Sequence, residues 1–241
     1  VRTLPDLKRL AAGGAVCVAV SGAYGIIQRI QGVEVSSSTV DLKVNAGMPG
    51  RVVSIFDNAN TFAEVLLLLL PLVLALVLCS RHLISKLLAG GIFVMGCVAL
   101  GMTYSRATWV GFACALVVFV FLWKPKLMPA FILFCCLAVP FLPTTIWNRV
   151  LTIFNPADSS TASRIPLYQA ALEVIQSRPI RGAGLGTAAP QAYIADWNLY
   201  HADFPYVHSH NFYLEVWIEA GLLGAASFVA SMLWNIKRAA H

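Results

Sequence analysis

The stretch HSHNFYLEVWIEAGLLG, over 208–224, opens on His208, His210 and Asn211 and carries Gly221 and Gly224 further in. An imidazole exchanges a proton near neutral pH and can act as a general base. On a continuous helix, turning about 100° per residue, positions 210, 214, 217, 221 and 224 share one face. Glycines on a membrane helix let another backbone approach closely. The face bearing His210 is therefore expected to pack inward and aim its imidazole into a polar cavity. His208, about 200° away on the same helix, is expected to point elsewhere. Glu215 and Glu219 leave the helix on other faces, and carboxylates that costly in lipid must find partners. Three arginines, Arg51, Arg106 and Arg164, are the cations positioned to line such a cavity.

The elements that must hold these groups follow from composition. Of 241 residues, 59% are hydrophobic and 12% charged, with a mean hydropathy of +0.75. A soluble domain is about a quarter charged, so this chain is an integral membrane protein. Six apolar runs are long enough to cross a bilayer, at 10–27, 62–79, 87–104, 107–123, 127–142 and 212–234. The expected fold is all-α, a polytopic transmembrane helical bundle of about six spans. Pro71 and Pro140 fall inside runs, where neighbouring helices can satisfy the freed carbonyls. Arg2, Lys8, Arg9, Arg81, Lys86, Lys124, Lys126, Lys237 and Arg238 all lie in short connections on one side of such a bundle. The excess of positive charge assigns that side to the cytoplasm. The opposite side then holds a loop at 28–61, a tight turn at Ser105–Arg106 and a large loop at 143–211. Within the large loop, Leu167, Ala170, Ala171, Val174 and Ile175 recur at helical spacing, and Arg178-Pro179 ends the pattern. This amphipathic helix is expected to lie on the membrane surface or to cap the bundle. The whole of 1–241 reads as a single membrane domain. A chain that opens on Val1 with no charged n-region and cleavage site reads as a piece of a longer protein.

Plainer readings stand beside these. Arg106 could snorkel to the interface with Trp109, and Arg51 and Arg164 could be exposed loop charges. The six cysteines all fall in apolar runs and read as small packing residues. The net charge of +6 comes from basic residues scattered between apolar runs, which suits membrane flanks and excludes a nucleic-acid partner. GAGLG, with Gly182, Gly184 and Gly186, follows no strand and reads as a flexible turn rather than a nucleotide-binding loop. His201, Asp203, His208 and His210 could form a metal site, but His-x-His spacing is common by chance and no metal is expected.

"HN", nine residues and "GLLG" resemble the His-(Asn/Ser/Gln)-x9-Gly-x-x-Gly signature of the O-antigen ligase family, bacterial membrane glycosyltransferases related to O-antigen polymerases. The match falls on His210, Asn211, Gly221 and Gly224. RVVSIFDNANTFAEVLLLLLPL, TYSRATWVGF and SRIPLYQAALEVIQSRPIRGAGLG are similar to family sequence in the same order, and together they cover most of the chain from Arg51 onward. The family has more spans than this chain, which thus looks like its middle and later half.

The resemblance implies transfer of a glycan from a polyprenyl-diphosphate carrier to a glycolipid or glycan acceptor. That would take place on the outer face of the bacterial cytoplasmic membrane, with no cofactor, metal or nucleotide sugar. By position, Arg106 and Arg164 match the family's diphosphate-binding arginines and His210 its catalytic histidine; Arg51, Asn211, Gly221 and Gly224 are candidates for support. A single displacement would invert the anomeric carbon. A polymerase of the same superfamily, joining lipid-linked repeat units, shares the donor chemistry and stays open. A transporter or flippase would place charges near the midplane in paired repeats. No repeat relates the first three runs to the last three, and the candidate charges cluster at one surface.

Overall fold

A computed structural model describes residues 4–33, 49–138, 140, 143–151, 164–202 and 206–240. Among them every regular element is helical. They form two compact units, Val1–Asn155 and Pro156–His241.

The first unit is built on α1 (Leu4–Gln31), α2 (Ala59–Cys79) and α3 (Leu83–Met102), which pack on one another, with α4 (Arg106–Trp123) against α2. A 3-10 turn leads into α5 (Met128–Ala138), and α6 (Thr144–Leu151) follows. Val18, Phe62, Leu66, Leu70, Val73 and Ala99 are fully buried at the centre. Lipid is as apolar as these side chains, so close packing rather than water exclusion holds them. Gly96 shows how close: a Cβ there would stand 2.7 Å from both Leu70 and Val18 side-chain carbons. Among the described residues, five helices are long and apolar enough to cross a membrane. Of the fifth run, the described residues form the shorter apolar segment Pro125–Ala138, and residues 139, 141 and 142 on either side of Pro140 lie outside the described residues.

The second unit contains α7 (Arg164–Ser177), α8 (Ala188–Asp196) and α9 (Phe212–Ala240). The predicted amphipathic helix is α7, and its apolar face is used as expected. Leu167, Ala170, Ala171 and Val174 are buried with Tyr193, Ile194, Tyr206 and Ile218. Its cover is therefore α8 and the start of α9, with Ile175 and Leu214 at the margin. Sequence periodicity did not single out α8.

Helix α9 departs most from expectation. It breaks at Gly221, where φ is 68° and ψ −171°, a conformation essentially confined to glycine. The break frees backbone groups, and residues 179–184 take them up. The Ala183 N–H donates to the Ile218 carbonyl at 2.6 Å and the Gly184 N–H to the Glu219 carbonyl at 3.3 Å. The Leu222 N–H, which a regular helix would send back to Ile218, donates instead to the Pro179 carbonyl at 2.8 Å. The Trp217 indole donates to that same oxygen at 3.0 Å, and the Gly186 N–H donates to the Glu219 carboxylate at 3.2 Å. GAGLG is thus an inserted backbone segment bonded on several sides, not a flexible turn. Gly221 admits a loop of its own unit rather than a neighbouring membrane helix. Because the helix is broken there, 210, 214, 217, 221 and 224 do not form one continuous face.

A methyl group at Gly221 would overlap the Ile180 carbonyl, and left-handed strain alone costs about 1–2 kcal/mol. Gly221→Ala is expected to lower the melting temperature in detergent clearly. Gly91→Ala, whose Cβ meets nothing within 4 Å, is expected to leave it unchanged or raise it, since alanine gains about 0.5–1 kcal/mol over glycine in a helix. Equal melting temperatures for the two variants would refute the packing described for the break.

Candidate functional site

In the first unit, the site grows from the C-terminal end of α3. The last carbonyls of a helix lack partners within it. Here the Leu100 carbonyl accepts the Trp109 indole N–H at 3.0 Å, and the Met102 carbonyl accepts the Val52 N–H at 3.2 Å. The Thr103 carbonyl accepts the Arg51 Nε–H at 2.8 Å. Trp109 is thereby tied inward rather than serving as an interfacial anchor. A second Arg51 nitrogen, Nη2, donates to Asn60 Oδ1 at 2.5 Å. The segment carrying Arg51 is stitched to α1 as well. Gln28 and the Ser54 backbone exchange hydrogen bonds at 2.9 and 2.8 Å, and the Ser54 hydroxyl donates to the Ser21 carbonyl at 2.6 Å.

Arg106 is the first residue of α4, directly after the tight turn in which Tyr104 takes a φ of 51°. A helix N-terminus carries partial positive charge and favours anions. A cation there is unfavourable for the helix and useful to an anionic ligand. Arg149, which sequence reading missed, adds to it. It lies on α6, only 6% exposed, while Trp147 and Leu151 on the same helix are exposed. One turn before it, Ile146 packs against Tyr104. The pattern Ile146–Arg149–Val150 in a stretch read as loop was the available signal. Arg51 feels both other guanidiniums. Burial first, then Arg149, then Arg106 lower the Arg51 pKa to about 10, so it stays protonated at neutral pH. Crowded like charges repel, and an anion among them relieves that repulsion. Beside this cluster opens a largely apolar cavity of about 550 Å3, lined by Phe93, Cys97, Val98, Tyr104 and Ile146 with Arg29 at its margin.

In the second unit, Arg164 is the first described residue of α7 and is exposed. His210 stands before α9, not within it. Its φ of 52° is left-handed, a region uncommon for residues other than glycine. Asn211 caps the helix, its Oδ1 accepting from the N–H groups of Tyr213 at 3.1 Å and Leu214 at 3.4 Å. The turn at 210 brings His208 alongside instead of pointing it elsewhere. The two imidazole centroids are 4.0 Å apart, and the His210 N–H donates to His208 Nδ1 at 3.1 Å. Partial burial, then His208 and Arg164, lower the His210 pKa below the ordinary imidazole value, and Glu215 offsets part of that. Glu215 and Glu219 both have polar partners, at Ser209 and Gly186 respectively.

Of the residues expected to act, Arg51 and Arg106 share a cluster in the first unit, and Arg164 and His210 interact in the second. Asn211 serves as a helix cap, and Gly221 as the break. Gly224 sits just past it, where a Cβ would overlap the Ala220 methyl. Of the metal set weighed above, Asp203 lies outside the described residues. Among the described residues no three His, Cys, Asp or Glu side chains converge.

A family model described as O-antigen ligase matches residues 90–229, a stretch that includes Arg106, Arg149, Arg164, His210 and Gly221. No curated protein and no solved structure matches the chain.

Inorganic pyrophosphate is expected to bind the purified protein, more weakly as salt is raised. Arg106→Met and Arg149→Met should each weaken that binding by about tenfold or more, because a hydrogen bond to a charged group contributes about 1.5–3 kcal/mol. Titration calorimetry at two salt concentrations reads both effects. Wild-type affinity in Arg149→Met would remove that residue from the site.

Proposed function

The chain belongs to the O-antigen ligase family, and from that premise we propose that it moves a glycan from a polyprenyl-diphosphate carrier to a glycolipid or glycan acceptor. It is a multi-pass membrane protein, and its family points to a ligase or polymerase role of the glycosyltransferase kind. The observation that carries the finer reading is the grouping of Arg51, Arg106 and Arg149 around a helix N-terminus.

The donor's leaving group is a lipid diphosphate that gains negative charge as its bond to the anomeric carbon breaks. Arg106, with Arg149 beside it, and Arg164 offset that charge, each with a planar fork that can bind phosphate oxygens bidentately. Arg51 already gives two donors to Thr103 and Asn60 and acts chiefly by its charge. The apolar cavity beside Tyr104 suits the lipid arm. His210 is the base. As the acceptor oxygen forms its bond to the anomeric carbon, the hydroxyl proton passes to the imidazole, and the bond to the diphosphate breaks on the opposite face of the sugar. One displacement inverts that carbon. Guanidiniums do the work that a metal ion does elsewhere, so the reaction needs none. The positive-inside bias of the short connections supports an active site on the outer side of the cytoplasmic membrane. Joining two lipid-linked repeat units would use the same groups, because only the acceptor differs.

Incubating the purified protein with a lipid-linked glycan and candidate acceptors, and following which acceptor gains mass, tests the reading. His210→Ala should lower transfer by about 10²–10⁴, the usual contribution of a general base. Arg106→Lys and Arg164→Lys should each impair it strongly, because a point charge cannot replace the fork. Chelator should change nothing. Full activity in all three variants would end the glycosyltransferase assignment.

The base must be unprotonated to act, so activity rises with pH through the His210 pKa. That pKa is lowered, which places the acid limb of kcat/KM on the acidic side of the ordinary imidazole value, about 6.5. An acid limb on the alkaline side would contradict the environment described for His210.

A further inference from the structure

Ser209, between the two histidines, is fully buried. Its backbone N–H donates to Glu215 Oε2 at 2.8 Å, and its hydroxyl lies 2.6 Å from the same oxygen. The hydroxyl also lies 3.0 Å from the Asn211 carbonyl; it has one proton, and the charged acceptor is the stronger. Its oxygen accepts the Asn211 N–H at 3.4 Å. Glu215, in the first turn of α9, therefore reaches back past the helix cap and grips the residue before His210. The residue after His210 is held as the cap itself. His210, fastened on both sides, keeps a left-handed conformation that is unfavourable for a residue with a Cβ. Such a conformation persists where its surroundings over-determine it.

We infer that Glu215 is the positioning residue of the His210 base, holding through Ser209 the turn that presents the imidazole to the acceptor. This rests on the reading of His210 as the base. Glu215 acts through Ser209 and does not touch the substrate. Its charge has a second effect. Among the described residues, the groups acting on His210 are His208 in the same turn, Arg164 from α7 and Glu215 from α9, and of these Glu215 favours the imidazolium. Tyr206, which also faces Glu215, is held in its neutral form by burial and by that carboxylate. Glutamine at 215 would keep an oxygen for Ser209 and lose the charge, whereas alanine would lose both.

The experiment compares donor KM, kcat and the pH profile for the wild-type protein, Glu215→Gln, Glu215→Ala and His210→Ala. Glu215→Ala should lower kcat at least about tenfold with donor KM changed less than about twofold, the pattern of a group that acts only in the transition state. Glu215→Gln should restore most of kcat, within about threefold of wild type, and move the acid limb to lower pH. That shift is a signature that a merely structural role would not produce. Wild-type kcat in Glu215→Ala, a Glu215→Gln loss as deep as that of alanine, or an unmoved acid limb in Glu215→Gln would each overturn the inference. Should alanine fail to fold, the glutamine profile decides. Wild-type kcat in His210→Ala would overturn the base itself. An inactive His210→Ala beside unaltered Glu215 variants would overturn the positioning role alone.

Discussion

A backbone N–H or C=O without a partner costs several kcal/mol in hydrocarbon, and this constraint organises both halves of the molecule. At the end of α3, the free carbonyls are met by Val52, Arg51 and the Trp109 indole. At the break in α9, the freed groups are met by Pro179, Ala183 and Gly184. Each repair also fixes a candidate functional group. Arg51 stays among its fellow cations because its Nε–H completes a helix end. The loop that repairs α9 runs straight on from α7, so the helix that starts at Arg164 is fastened to the helix that starts just after His210.

The arginines show how the fold accepts local cost for use. Arg106 occupies the first position of α4, where the dipole disfavours a cation, and Arg164 is the first described residue of α7. Arg149 is buried on a helix whose tryptophan and terminal leucine face outward. Arg106 does not help the helix that carries it, whereas Arg149, in the last turn of α6, suits the helix dipole but is buried. Each adds to a local positive potential, the feature on which the proposed diphosphate-binding role rests. Aromatic and apolar packing supports the arrangement, with the Tyr104 and Trp109 rings tilted against each other at 6.1 Å and Tyr104 braced by Ile146.

Much of this was legible in the sequence because it follows from length and periodicity. Four of the long apolar runs and the last one became helices able to cross a membrane, and Leu167, Ala170, Ala171 and Val174 buried the face their spacing foretold. The tight turn before Arg106 was legible too. What escaped depends on contacts distant in the chain. Helical spacing assumes a continuous helix, and it failed at Gly221 because a loop some forty residues earlier offers replacement hydrogen bonds. It failed at His210 because one left-handed residue turned His208 back toward its neighbour. Arg149 sat in a stretch too short and polar to stand out, and only packing on Tyr104 gave it a place. The family signature marked His210, Asn211, Gly221 and Gly224, but their separate tasks as base candidate, cap, break and relief of crowding came from the backbone.

The break in α9 also bears on bilayer thickness. An unbroken helix over the 27 residues Phe212–Arg238, rising about 1.5 Å per residue, would measure about 40 Å, beyond a hydrocarbon layer of about 30 Å. From Leu222 to Arg238 the rod rises about 25 Å, close to that thickness. It is uncharged from Leu222 to Ile236 and then carries Lys237 and Arg238, residues suited to the headgroup zone. Both carboxylates of the helix, Glu215 and Glu219, fall before the break. The glycine thereby divides one long helix into a segment matched to the bilayer and a polar head freed from that match.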